Sequence, residues 1–422
     1  MVAVPASDQE CLRCKGGKLL CGLTYCPIVL KIKALSPVKK MLPEMKNEYY
    51  GPSPPSLFVG RFGYPKVYVG PMAALDHDNI QIIDEPDQWG TSVTMAEVLN
   101  FRAKLLRFMG TEPHRVTDVT SPPKMLELTQ EQVQASSPVD LEIKFMKKPK
   151  IDLTFTRNIQ PMGARVQIDT LQLASTPKIE HKVDRIVQDS DLIAFSAVNE
   201  LYKAQATVTQ ITRILSAGLL GLNRQRRLVP TRWSITAVDD MVGNDLRKQI
   251  KDHPPVQDYL VYHNTYLDND FWVLFIPRDA WFFDYHETWK QKSAWNLTGP
   301  MPQILSDTEG PKGRTTYANN TVGGYYAARL AVLEKLWQIR RIASVVVFRE
   351  VGSGYAIPLG VWQVRENMRT ALKNVPDRFE DLKAALRYIE SHLTIPMRRY
   401  ARQSPLLRQK RLTDFFNSSK FQ

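Results

Sequence analysis

The only four cysteines of the chain, Cys11, Cys14, Cys21 and Cys26, crowd into one short stretch with the spacing C-x2-C-x6-C-x4-C. That spacing can close four thiolates around one tetrahedral ion, because two residues between sulfurs let a loop fold back on itself. Gly16, Gly17 and Gly22 supply tight turns, and Arg13, Lys15 and Lys18 offset the negative charge of a four-thiolate site. In a reducing compartment disulfides are disfavoured, so the expected occupant is Zn²⁺. An iron–sulfur cluster, which takes the same four ligands, is the alternative. A closed site of this kind staples a fold and leaves no open position for catalysis. Lys31, Lys33, Lys39 and Lys40, which follow the knuckle, could also reach phosphates.

A second group of chemistry-bearing residues lies in the run YLVYHNTYLDNDFWVLFIPRDAWFFDYHETW, which begins at Tyr259 and interleaves aromatics with Asp279, Asp284, His286 and Glu287. A metal or acid/base site needs several titratable groups converging in one cleft. Asp279, His286 and Glu287 are candidates for such a site, joined by Glu350 at the end of an apolar strand and Glu366 in the segment after it. Arg232 and Arg314 are candidates for phosphate contact. Spacings of one and two residues are not a chelating signature, and aromatic strands ordinarily bury one face as core. The stretch GPKGRTTYANNTVGG, which opens at Gly310, reads as a movable basic loop leading into a helix whose Gly323–Gly324 start could receive a phosphate.

The tail reads PLLRQKRLTDFFNSSKFQ. Within it Gln409, Leu412, Phe415 and Phe416 fit Q-x-x-(aliphatic)-x-x-(aromatic)-(aromatic), a pattern that resembles the peptide with which replication and repair proteins dock on a PCNA-type sliding clamp. Leu412, Phe415 and Phe416 would fall on one side of a helical turn as a compact apolar plug, with Gln409 beside it. Arg398, Arg399, Arg402, Arg408, Lys410 and Arg411 precede or flank the plug without an acidic residue. The tail from 398 onward is therefore expected to be extended, solvated and drawn to DNA or an acidic clamp surface.

Elements must hold these groups. Leu57 to Gly70 reads as a hairpin around Gly63-Tyr64-Pro65, and Thr94 to Met109 as a helix stopped by Gly110. Val139 to Phe155 alternates as two short strands, and Asp189 to Leu220 reads as one long helix followed by the solvated arginines Arg224, Arg226 and Arg227. Trp233 to Val238 reads as a strand, Tyr325 to Arg341 as a helix, and Ile342 to Val351 as a buried strand. The fold class is α+β, a mixed α/β body with an N-terminal four-cysteine zinc knuckle and a flexible tail. Its divisions are residues 1–45 (knuckle and linker), 46–225, 226–397 and 398–422, the central boundary falling near Gly221 to Pro230.

The chain has 422 residues, 43% of them hydrophobic and 23% charged, enough apolar material for two or three domains and too much for a disordered chain. Lys and Arg total 56 against 43 Asp and Glu, a net charge of +13 that favours a polyanionic partner. No apolar run approaches the roughly 20 residues of a spanning helix, so no membrane partner is expected. Asp8, Glu10 and the cysteines stand where a secretory signal would need a basic start and an apolar stretch, which reads as a cytoplasmic, nucleoid-associated protein.

With the knuckle, PTRWSIT, IPRDAWFFDYHE, GGYYAARLAVLEKL and QKRLTDFF in view, the chain resembles the archaeal Nre family. The resemblance implies a role in repair of damaged DNA, a clamp contact through Gln409, Leu412, Phe415 and Phe416, and a zinc site at the four cysteines. Two functions are expected: a clamp-recruited repair enzyme, or a noncatalytic DNA-binding adaptor linking the clamp to another repair factor.

Overall fold

The computed structural model describes residues 11, 13–23, 25–75, 78, 80–149, 162–296 and 299–408. The tail motif at 409–416 lies outside the described residues. The chain forms two compact units, an N-terminal unit of residues 26–242 with 357–362, and a C-terminal unit of 243–356 and 363–422 with 1–25. The expected boundary near 221–230 lies inside the N-terminal unit; the division falls within a helix, Thr231–Gln249.

In the N-terminal unit, β1 (Glu48–Ser53), β2 (Leu57–Val59), β4 (Val69–Ala74), β5 (Leu105–Met109), β7 (Val139–Phe145) and β8 (Arg165–Leu173) form a sheet in the order β1-β7-β8-β5-β4-β2. β3 (Lys66–Val67) and β6 (His114–Arg115) form a separate ribbon. β7 shows how the sequence dictates this: Val139, Leu141, Ile143 and Phe145 are buried while the residues between them face outward, the period of two that a half-buried strand requires. β5 runs parallel to β8, and a Cβ added to Gly163 would lie 1.7 Å from the Leu105 carbonyl oxygen. Only glycine fits there.

Three expectations change. The helix begun at Thr94 has the expected start, a capping box of Thr94 and Glu97, but ends at Lys104; Leu105–Met109 is strand β5. The segment 189–220 is two helices, Ala194–Lys203 and Val208–Ser216, because Gln205 turns left-handed and Thr207 caps a new start. PTRWSIT is helix rather than strand: its β-branched residues favour extension locally, yet Val238, Val242, Leu246 and Ile250 recur every fourth residue and all are buried. The expected hairpin is present as β2 paired with β4. The strand expected from Val139 ends at Phe145, and residues 150–161 lie outside the described ones.

The C-terminal unit carries a second sheet, β9 (Tyr259–Tyr266), β10 (Asn269–Ile276), β11 (Phe282–Trp289), β12 (Gln303–Glu309), β13 (Ser344–Val351) and β14 (Asp377–Phe379), in the order β12-β11-β13-β10-β9-β14. Only the β11–β13 pair is parallel. One face packs Trp272, Leu274, Val346 and Phe348 against Ile389, Met397, Tyr400 and Leu406 from the C-terminal helices. The other meets the helices Gly323–Gln338 and Trp362–Lys373: Phe283 packs edge-on to Tyr325, and Asn367 donates to the Asn269 carbonyl. The stretch from 397 is not extended as expected. Met397–Ala401 and Pro405–Arg408 are helical turns, since Tyr400 and Leu406 bring apolar area worth burying.

Candidate nucleic-acid interface

The titratable residues singled out from sequence do not converge on one cleft. His286 and Glu287 are neighbours on β11, so their side chains leave opposite faces of the sheet. His286 is fully buried, its Nδ1 2.7 Å from Ser306 Oγ and its ring stacked near Phe348. Burial pushes its pKa down to about 3, so it is a neutral core histidine. Glu287 accepts from Arg349 Nη1 at 2.5 Å, from Trp289 Nε1 at 2.8 Å and from Tyr285 at 3.1 Å. Arg349 also donates to Asn269 and Gln363 and lies over the rings of Phe271 and Trp289. Desolvation opposes that guanidinium's charge, but Glu287 together with Tyr285 and Tyr355 outweighs it and holds the pKa above its ordinary value.

Glu350 is on the His286 face, where it accepts from the backbone N–H groups of Thr394 and Ile395 and from Tyr400, 2.9 Å from Lys290 Nζ. Glu366 is buried against Arg365 and Arg369. Arg314 does not offer itself to a phosphate: it donates to the carbonyls of Thr308, Thr316 and Tyr317 and pairs with Asp307, which in turn accepts from Asn320 and Thr321. The loop expected to move is thus pinned at both ends, and the Gly324 N–H is occupied by the Thr321 carbonyl. Asp279 is exposed, and Arg232 belongs to the other unit.

None of the four cysteines is in a disulfide. Backbone N–H groups, that of Leu20 foremost, draw the Cys14 thiol below its usual pKa, the setting a thiolate ligand requires. Among the described residues no three His, Cys, Asp or Glu side chains are grouped to hold a metal.

The N-terminal unit holds the more telling arrangement. Three segments remote in sequence, 59–66, 115–117 and 224–233, are sewn together by two backbone bonds, Val116 N to Pro65 O and Leu228 N to Val116 O, and by the Val59 N–H donating to the Thr231 hydroxyl. They present Arg61, Lys66, Arg115, Arg224, Arg227 and Arg232, all exposed. None of these side chains has an acidic partner among the described residues. Asp118, three residues beyond Arg115, turns to that residue's backbone N–H instead. Between the cations stand Phe62, Tyr64 and Trp233, exposed by 82%, 47% and 46%. Arg61 lies over Phe62 at 5.0 Å, and the Tyr64 and Trp233 rings meet at 5.2 Å. Behind that pair opens a cleft of about 260 Å³ lined by Leu215, Leu228, Val229, Pro230, Gln225 and Arg227. Beside it lies one of about 390 Å³ lined by Pro65, Lys66, Arg115 and Thr117. Large rings left in water among unpaired cations constitute a surface suited to a polyanion with aromatic faces. Of these residues only Arg232 stood out in the sequence as a ligand contact; the others are visible only once the three segments meet.

Comparison with known proteins places the chain in a family. Family models described as "Archaeal Nre, N-terminal" and "Archaeal Nre, C-terminal" match residues 20–296 and 309–415. The chain belongs to the archaeal Nre family. It is 39% identical over 378 residues to "DNA repair protein NreA" of Archaeoglobus fulgidus, covering 89% of this chain and 92% of that protein. It is 34% identical over 411 residues to "DNA repair protein NreB" of the same organism, covering 96% and 100%. "DNA repair protein NreA" of Haloferax volcanii is 36% identical over 369 residues, 85% of this chain and 86% of that protein. No solved structure matches the chain. No helix among the described residues is long and apolar enough to cross a membrane.

Proposed function

We propose that the chain is a DNA repair protein that contacts DNA through the basic, aromatic surface of its N-terminal unit and is brought to its substrate by a PCNA-type sliding clamp. The observation that carries the first half is the joining of six exposed, acid-free cations with three exposed rings on one surface assembled from three segments. Cations of this kind release counterions from a phosphate backbone, and the rings can stack on bases. The names of the relatives support the repair context. The second half rests on Gln409, Leu412, Phe415 and Phe416, and on the body's last turn. Asp284 accepts from Ser404 and from the Leu406 N–H, fixing the turn Pro405–Arg408 that precedes the motif in sequence.

Calorimetric titration of the full chain against a cognate clamp tests the recruitment. Phe415→Ala with Phe416→Ala should weaken binding by at least about 30-fold, as truncation of buried aromatic anchors does. Binding unchanged by the double substitution would overturn it. The four cysteines are proposed to hold one Zn²⁺, with an iron–sulfur cluster as the alternative; elemental analysis of the purified chain separates the two.

A second reading, the noncatalytic adaptor, is favoured by a specific observation. Four of the five candidate acid/base groups, His286, Glu287, Glu350 and Glu366, are buried and engaged with neighbours of their own fold, and the fifth, Asp279, stands exposed apart from them. Turnover of any DNA substrate by the clamp-loaded protein would sink that reading.

A further inference from the structure

We infer that the cleft beside Trp233 takes an unstacked nucleobase, so that the surface selects single-stranded DNA, or a base displaced from duplex, over an intact helix. The inference deepens the DNA-binding reading above and rests on it. Its first ground is shape. The cleft, about 260 Å³, is below the roughly 300–1,000 Å³ of pockets that enclose drug-sized ligands, and is suited to a single ring system. Leu215, Leu228, Val229 and Pro230 make an apolar wall, while the Tyr64 and Trp233 rings stand at the mouth, half in water.

The second ground is chemistry at the rim. Gln225 offers an amide that both donates and accepts, and Arg227 offers donors only. Both are exposed, and neither side chain has a partner among the described residues. These are the groups that read a base edge once the base has left its pairing partner. A paired base presents no free Watson–Crick edge and has both faces covered, so it cannot enter. The adjoining cleft places Lys66 and Arg115 beside Pro65, one residue from Tyr64, where the phosphate of a neighbouring nucleotide would be met.

The third ground is rigidity. Ser216 Oγ donates to the Val229 carbonyl at 2.6 Å, Val229 N donates to Ser216 O at 3.0 Å, and Leu228 N donates to Val116 O at 2.8 Å. The wall is therefore built before a ligand arrives, and little ordering cost is left to binding. Charge commits the occupant: an apolar side chain of a partner protein would fill the cleft equally well but would leave Arg61, Arg224, Arg227 and Arg232 without counter-charge.

The test uses the full chain and three labelled oligonucleotides of one sequence: single strand, perfect duplex, and duplex with one unpaired, bulged base. Affinities are read by anisotropy for wild type, Trp233→Ala, Trp233→Phe and Tyr64→Ala. The single strand and the bulged duplex should bind at least about 10-fold more tightly than the perfect duplex. Trp233→Ala should cost these two about 5- to 150-fold, the range seen when a base-stacking ring is removed, while Trp233→Phe keeps most of the affinity. Because Phe keeps an aromatic ring, retention by Trp233→Phe with loss in Trp233→Ala separates stacking from misfolding, and a melting curve of each variant checks the fold. Equal affinity for all three DNAs, or an equal loss on all three in Trp233→Ala, would overturn the inference and leave the DNA-binding reading standing. No binding to any DNA at low salt would remove both.

Discussion

Two regions of the molecule treat charge in opposite ways, the sheet of the C-terminal unit and the surface around Trp233 in the N-terminal unit, which elsewhere buries a pair of its own, Arg213 with Glu85. In the C-terminal unit Arg349, Arg329 and Glu287 are buried and answered by partners at hydrogen-bond distance: Arg349 by Glu287, Asn269 and Gln363, Arg329 by Glu309 and Asn244. In the N-terminal unit Arg61, Arg224, Arg227 and Arg232 stand exposed beside uncovered rings. Charge that is buried and satisfied has been spent on the fold's own geometry, since removing it from water is repaid only by its partners. Charge left in solvent beside aromatic faces contributes nothing to folding and remains available for a ligand. On that contrast the aromatic block, which looks richest in chemistry when read as a string, is architecture, and the plainer surface around Trp233 is the one we propose as the site.

The contrast breaks first, and by the largest amount, at Glu287. Glu287→Ala leaves the Arg349 guanidinium buried with no carboxylate, and loss of one partner of a buried pair costs about 3–5 kcal/mol. Urea unfolding should show that drop. Replacing both partners by apolar residues, Glu287→Leu with Arg349→Met, should cost less than the single change, because no orphan charge remains. A single substitution costing under about 1 kcal/mol would mean that Arg349 reaches water after all, and the unit's charges could then be reconsidered as a site.

Acid provides the next test. Burial holds His286 near a pKa of about 3, whereas an unfolded histidine titrates near 6.5. The folded value is depressed, so the stability it contributes is complete above about pH 6.5 and is lost as pH falls from there toward 3. The slope is about 1.4 kcal/mol per pH unit for this one proton. His286→Phe, which keeps a ring against Phe348 and Tyr400, should flatten the unfolding free energy between pH 6 and 4 relative to wild type. Parallel curves for the two proteins would show that His286 is protonated in the folded state, contrary to a core role.

What the sequence could and could not disclose follows the same division. Val345, Val346 and Val347 in an unbroken apolar run announce a buried strand, and Tyr325 to Leu336 announces a buried helix, because both patterns are contiguous. The helix at Thr231–Gln249 was hidden behind Trp233, Ile235, Thr236 and Val238, residues that favour strands one at a time, and it shows only in the four-residue recurrence of buried apolar positions from Val238 onward. Sheet faces were harder: nothing in a one-dimensional reading says that His286 and Glu287 must point apart until Asp284 to Trp289 is known to be a strand buried on both sides. The surface proposed to meet DNA is least legible, since its cations are scattered from Arg61 to Arg232 and become neighbours through the Pro65, Val116 and Leu228 backbone bonds.

The smallest effect is the one that decides most. Arg227→Ala and Arg232→Ala remove exposed, unpaired charges, so each should change unfolding free energy by no more than about 0.5 kcal/mol, the ordinary range for a surface substitution. Their effect on DNA should be seen in the salt dependence. If each arginine neutralises one phosphate, the slope of log affinity against log salt should fall by about 0.7–0.9 for each residue removed, nearer the lower value on single strands. A thermodynamically silent change that still lowers the salt slope is what separates a ligand-facing charge from an architectural one. If instead these substitutions destabilise the fold as Glu287→Ala does, the exposed arginines are holding segment 224–233 in place, and the two regions no longer differ in the way their charges are used.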